Sequence, residues 1–323
     1  MTDPVLGPGL AAALGALQGV AEFLPISSSG HLALAERWFG VDPAAAGHSF
    51  NIVVHAGTLV AVLLFYREDL RALLRAVFQR RQVQLQHHQH VANEPDEPLA
   101  LAEDLGKPQG NGLADRSGLR SAPLLDVVPN RVGPPINTAR ALLLGLIVAT
   151  LPLALALTDT AEYVVLTAEG STHYIAAGFL LTAVLLAFSH SRTDISVLEA
   201  PRPWQALVIG LSQLVAILPG ISRSGSTMAA AMALGLGRLA AARFSFLLSI
   251  PAILGASFKE TIELWRHGAG AEIDPAAFAL GFATSFAVGT LTLRALMTLL
   301  VRVGLLPFVP YLLLLGLVVF IFG

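Results

Sequence analysis

The chain has 323 residues, of which 54% are hydrophobic and 13% charged, and its mean hydropathy is +0.68. Soluble domains carry about 25% charged residues, so the composition excludes an ordinary soluble protein and points to a polytopic membrane protein. A net charge of −2 gives no basis for a nucleic-acid surface, and the absence of cysteine excludes disulfides and thiolate ligands.

The first nine residues lack a basic run, so no cleaved signal peptide is expected. Residues 10–24 are apolar but stop at Leu24-Pro25, short of the ~20 residues a span needs. A polar run from Ser27 to His31 follows, then a second short apolar piece, Leu32 to Phe39. Two short pieces around a polar turn predict a re-entrant hairpin, which needs protein or a watery cavity around its turn. Ser49 to Tyr66 reads as a full span, ending at Arg67, Arg71, Arg75, Arg80 and Arg81. Such an arginine excess marks the cytoplasmic side.

Residues 82–136 are rich in Pro, Gly, Gln and acidic side chains, without apolar period, and read as a solvated cytoplasmic insert. Their Gln86-His87-His88-Gln89-His90 tract reads as loop rather than metal site. Asn137 to Leu157 returns outward, and an acidic loop without Lys or Arg, Thr158 to Thr172, follows. His173 to Ser189 runs inward. Residues 204–237 form a second hairpin around polar residues, and Arg238 and Arg243 lead into a span from Phe244 to about Ile262. Pro275 to Val301 and Leu306 to Phe322 close the chain. Arg243 and Glu260, near span ends, are explained by snorkelling.

The expected fold is therefore all-α, with six transmembrane helices and two re-entrant hairpins in one integral membrane domain over 1–323. The first repeat covers about 10–81 and the second about 204–301. Moving by 195 positions places Gln18, Ile26, Ser27, Ser29 and Gly30 on Gln213, Ile221, Ser222, Ser224 and Gly225. The first span runs inward and its counterpart outward, which makes the halves inverted repeats. In such proteins the site lies near the midplane, on broken helices at the repeat interface.

Within the first hairpin, Gln18 and Glu22 are four apart and share a helix face. They offer oxygens to a hard cation such as Mg2+ or Ca2+, with phosphate oxygens completing the shell; the competing reading is a hydrogen-bonded pair that pins the hairpin. Pro25 and Gly30 interrupt the helix and free backbone N–H groups, which suit an anion at a helix start. Ser27 and Ser29 read equally as helix caps or as ligand-binding hydroxyls. Ser28 and His31 are three apart and can face each other, as a hydroxyl nucleophile and its base do; the competing reading of His31 is a buried histidine paired to a backbone carbonyl. In the second hairpin, Ser222, Arg223, Ser224 and Thr227 offer hydroxyls and a guanidinium suited to bidentate phosphate binding. A lock between Arg223 and Glu22 is the competing reading of that arginine, and the two readings can alternate. His55, in the first span, stands as a phosphate partner or a satisfied core histidine.

Gln18-Gly-Val-Ala-Glu22-Phe-Leu-Pro-Ile-Ser-Ser-Ser-Gly-His31 together with Pro219-Gly-Ile-Ser-Arg-Ser-Gly-Ser-Thr227 resembles the bacterial undecaprenyl-diphosphate phosphatase family, also called bacitracin-resistance proteins. The likeness continues through Phe50-Asn-Ile-Val-Val-His-Ala-Gly-Thr and Phe244-Ser-Phe-Leu-Leu-Ser-Ile-Pro and skips residues 82–136. It implies a multi-pass hydrolase of the bacterial plasma membrane, opening to the outer face. Such an enzyme removes the terminal phosphate of an isoprenyl diphosphate lipid, recycles the carrier of cell-wall synthesis and gives bacitracin resistance. It also implies a divalent cation. The matching positions are Gln18 and Glu22 for metal, Ser28 and His31 for catalysis, and Ser222, Arg223 and Thr227 for phosphate. The acidic motif often begins with Glu in that family. Gln18 stands there in this chain, which shifts the metal role to Glu22. A homodimer is left open. The rival readings are a lipid-phosphate transporter or flippase without hydrolysis, and the membrane lipid phosphatases that carry a second histidine after a Ser-Arg pair. In this chain no histidine follows Arg223 until His267.

Overall fold

The structure is a computed structural model that describes residues 6–41, 48–78, 134–190, 198–267 and 274–323. The polar insert, apart from residues 134–136, and its histidine tract lie outside the described residues.

The described chain is helical. Its α-helices are α1 (Pro8–Ala21), α2 (Ser28–Trp38), α3 (His48–Phe65), α4 (Arg67–Phe78), α5 (Ile136–Thr150), α6 (Asp159–Glu169), α7 (Thr172–His190), α8 (Pro203–Val215), α9 (Arg223–Ala233), α10 (Arg238–His267), α11 (Pro275–Arg302) and α12 (Phe308–Phe322). Their starts follow local chemistry. Proline stands in the first turn of α1, α8 and α11, where its missing N–H costs nothing. Side-chain oxygens of Ser27, Thr158, Ser222 and Asp274 cap α2, α6, α9 and α11. α5 tightens into a 3-10 segment, Leu151–Leu157, at Pro152. Pro152 lacks the N–H that an α-turn would use.

Each of the six expected spans coincides with a helix, with shifted bounds. Residues 136–156, 172–189, 238–262 and 275–302 are long and apolar enough to cross a bilayer. α3 meets that test only together with α4, from which it is bent by 72°. α12 is shorter, at 15 residues. The helix of the fourth span begins at Arg238, ahead of the expected Phe244. The expected acidic loop contains α6, an 11-residue helix. Arg243 does more than snorkel: its Nε lies 3.1 Å from Asp69 Oδ1, tying α10 to α4.

The halves correspond closely. Shifting α1 and α2 by 195 reproduces the starts of α8 and α9. Counting α5 and α7 with the first half and α12 with the second, beyond the expected repeat bounds of about 10–81 and 204–301, α1, α2, α3, α5 and α7 correspond in chain order to α8, α9, α10, α11 and α12. The halves interlock: α1 packs on α11 of the second half, and α8 packs on α5 of the first. α3 meets α10, and α7 meets α12. Small residues permit the closest of these approaches. A Cβ on Gly19 would lie 2.7 Å from the Gly289 nitrogen and 2.8 Å from the Ser285 oxygen. Without a hydrophobic drive inside lipid, helices associate through this kind of tight backbone packing. Phe23, Phe179, Phe244, Phe246 and Tyr66 are buried in one hydrophobic core.

Candidate active site

α1 ends at Ala21, and the backbone N–H of Glu22 caps it by donating to the Gln18 carbonyl. The chain then turns through Phe23–Ile26 and restarts at Ser28. α8 ends and α9 restarts in the same way around residues 216–222. The hydrogen bonds repeat with the sequence. Ser27 Oγ accepts from Gly30 N and lies 3.3 Å from Ser29 Oγ. Ser222 Oγ accepts from Gly225 N and lies 3.3 Å from Ser224 Oγ. Two helix starts are thus brought to one place. A Cβ on Gly225 would lie 3.1 Å from Pro25 Cβ, and Ser224 Oγ donates to the Leu24 carbonyl at 3.4 Å.

Glu22 is the hub. Its carboxylate is buried, with a side-chain exposure of 4%. Oε1 accepts from Arg223 Nη2, across 201 residues of sequence. Oε2 accepts from Gln18 Nε2 at 3.0 Å and from Ser28 Oγ at 2.7 Å, and His55 Nε2 stands 3.8 Å away. Burying a carboxylate is costly unless it is paired and hydrogen-bonded. Here Arg223 supplies the countercharge and two further donors satisfy the other oxygen. Two atoms of this cluster are left over. Gln18 Oε1 and Arg223 Nη1 are buried without hydrogen-bond partners. A narrow pocket beside them is lined by Glu22, Phe23, Arg223, Ser224, Ser245, Phe246 and Ser249.

The expected convergence of the two hairpins is therefore present, and so is the lock between Arg223 and Glu22. The expected pairing of Ser28 with His31 is not. Ser28 is drawn to Glu22, whereas His31 Nδ1 lies 2.7 Å from the Ser27 carbonyl and Nε2 lies 2.7 Å from Tyr311 Oη. Three-residue spacing permits a contact, but each side chain has a stronger partner: a carboxylate for the hydroxyl, and a carbonyl and a phenol for the ring. Thr227 joins α9 to α10. It is buried and hydrogen-bonded to the Arg223 carbonyl at 2.8 Å and to Ser245 Oγ at 2.5 Å, seating α9 on α10. His55 joins the Glu22 cluster from α3, its ring held by the Asn51 carbonyl at 2.8 Å.

Sequence reasoning passed over four residues of this neighbourhood. Thr182, within the apolar α7, donates to the Gly220 carbonyl at 3.3 Å and accepts from Ser222 N at 3.0 Å. Ser245 and Ser249, one turn apart on α10, line the pocket. Tyr311 of α12 reaches His31. The available signal was a hydroxyl inside an apolar helix, the same signal that marked the two hairpins.

A family model described as bacitracin resistance protein BacA matches residues 11–318. The chain belongs to the BacA family. It is similar to proteins named undecaprenyl-diphosphatase from Methanosphaera stadtmanae (32% identical, 95% of each chain covered), Desulfosudis oleivorans (33%, 94% of each) and Desulforapulum autotrophicum (34%, 96% of each). Within this BacA chain the matched region takes in both hairpins and every helix that contributes to the Glu22 cluster.

Proposed function

We infer that the chain hydrolyses undecaprenyl diphosphate to undecaprenyl phosphate and inorganic phosphate. In the bacterial plasma membrane this recycles the lipid carrier of cell-wall synthesis and gives bacitracin resistance. The observation that carries the reading is the convergence of Gln18, Ser28 and Arg223 on one buried carboxylate. The name undecaprenyl-diphosphatase, which these relatives carry, supports the substrate. A flippase without hydrolysis has no use for a hydroxyl held at 2.7 Å from a carboxylate.

The roles follow from the contacts. Ser28 Oγ attacks the terminal phosphorus and passes its proton to Glu22. The P–O bond to the lipid-borne phosphate breaks, and that phosphate leaves with the bridging oxygen. Water then attacks the serine phosphate as Glu22 returns the proton to Ser28 Oγ and the P–Oγ bond breaks; the carboxylate takes a proton of the water and releases it to solvent. Arg223, whose Nη1 is unengaged, binds the non-bridging oxygens and offsets the charge that builds up in transfer. The hydroxyls of Ser27, Ser222 and Ser224 support the two helix starts that face the phosphates. Ligand binding turns Arg223 from Glu22 to phosphate, so the ion pair belongs to the free enzyme.

A divalent cation, Mg2+ or Ca2+, fits the donor set at one corner of this cluster. Gln18 Oε1 is buried without a partner beside the Glu22 carboxylate. Among the described residues no three His, Cys, Asp or Glu side chains come together, so substrate oxygens would complete the shell. The bound ion would neutralise diphosphate charge. The arginine-poor loops support an opening of the site toward the outer face. Phosphate release from a C55 or C15 isoprenyl diphosphate by purified protein, with and without chelator, tests the reading. Lipid movement without phosphate release would overturn it.

A further inference from the structure

The two helix starts are alike in sequence and in hydrogen bonds, yet they differ in one backbone angle. Ser222 caps α9 with φ −72°, an ordinary value. Ser27 caps α2 with φ 72°, and among the described residues no other non-glycine residue has positive φ. A side chain in the left-handed region is strained and persists only where the surroundings hold it. Ser27 directly precedes Ser28, the residue whose hydroxyl must meet phosphorus.

What holds Ser27 is visible. A carbonyl can only accept, so His31 Nδ1 carries a proton and donates it to the Ser27 carbonyl at 2.7 Å. In the neutral ring Nε2 is then the acceptor, and Tyr311 Oη donates to it at 2.7 Å. Tyr311 also stacks on the imidazole, with centroids 5.9 Å apart and planes at 10°, while Phe179 meets the ring edge-on at 5.2 Å. The equivalent of His31 in the second half is Ser226, whose hydroxyl is buried without a partner. The strained cap occurs where a clamped histidine holds its carbonyl, and the relaxed cap where none does.

We propose that Tyr311 is a positioning residue for the hydrolysis: it fixes the tautomer and tilt of His31, which holds the Ser27 carbonyl and thereby aims Ser28. This rests on the assignment of Ser28 as nucleophile. It places His31 behind the attacking group, as part of the mount rather than as its base. It also gives the last helix, 280 residues away from His31 in sequence, a part in the reaction.

The experiment is a double-mutant cycle on the full chain, with C15 isoprenyl diphosphate as substrate. Tyr311→Phe keeps the stacked ring and deletes only the hydroxyl. Its kcat should fall about tenfold with KM unchanged, since misplacing a reacting group by about 1 Å costs up to ~100-fold. His31→Ala should fall at least as far, and the double variant should be no slower than His31→Ala. Wild-type kcat in Tyr311→Phe, a change confined to KM, or independent multiplicative losses would overturn the proposal while leaving the site assignment intact. Ser28→Ala serves as the separate control. Full turnover there would remove the nucleophile assignment and, with it, any target for Tyr311 to position.

Discussion

The two re-entrant hairpins share one architecture and divide the chemistry unequally. Each has a proline in the first turn of its first helix, a glutamine one turn before the break, a serine cap and a glycine in the second helix. In the first hairpin the glutamine donates to Glu22. In the second, Ile217 takes the place of Glu22, and both amide atoms of Gln213 are buried without partners. The first residue of the second helix is Ser28 in one copy and Arg223 in the other, and both reach the same carboxylate. A duplicated scaffold thus supplies two helix starts facing one point, and divergence at a few positions brings a hydroxyl, a carboxylate and a guanidinium together there.

Breaking that division should have its largest effect at the three residues that meet. Ser28→Ala, Glu22→Gln and Arg223→Lys should each lower turnover by roughly 100-fold or more, measured as phosphate release, because a transition-state electrostatic contact is worth about 3 kcal/mol. Lysine fails at position 223 because it lacks the planar fork that spans two phosphate oxygens. Glu22→Gln should recover in part at high divalent cation if the carboxylate also holds the ion, and chelator should abolish wild-type turnover.

Gly220 sharpens the comparison at the level of the fold. Its φ is +84°, and a Cβ there would run into the Ile175 carbonyl of α7. Gly220→Ala should lower thermal stability by about 1–3 kcal/mol, through backbone strain plus the clash. The detergent-solubilised melting curve checks this.

The two glutamines give the smallest and most discriminating contrast. Gln18→Leu should remove most activity, since it takes a donor and a free oxygen from Glu22. Gln213→Leu should leave turnover within about twofold and hold or raise stability by about 1 kcal/mol, because burying an amide without partners is unfavourable. Equal losses at both positions would show that the second hairpin carries chemistry of its own.

Much of this was legible from residues alone. Composition dictated a helical membrane protein, since lipid leaves backbone groups no partners outside helices or closed barrels. The 195-residue offset, the short apolar arms and the density of polar groups between them located both hairpins and named Gln18, Glu22, Ser28 and Arg223. These are local or repeated signals, and a single sequence carries them. Partner choice is another matter. Whether Ser28 would face His31 or Glu22, that Thr227 would meet Ser245, and that Tyr311 would close on His31 depend on which distant helix arrives beside each side chain. Spacing along one helix sets what can touch. The packing of α1 on α11, α9 on α10 and α12 on α7 set what does, because a buried polar group takes the strongest partner that the tertiary fold brings within hydrogen-bonding reach.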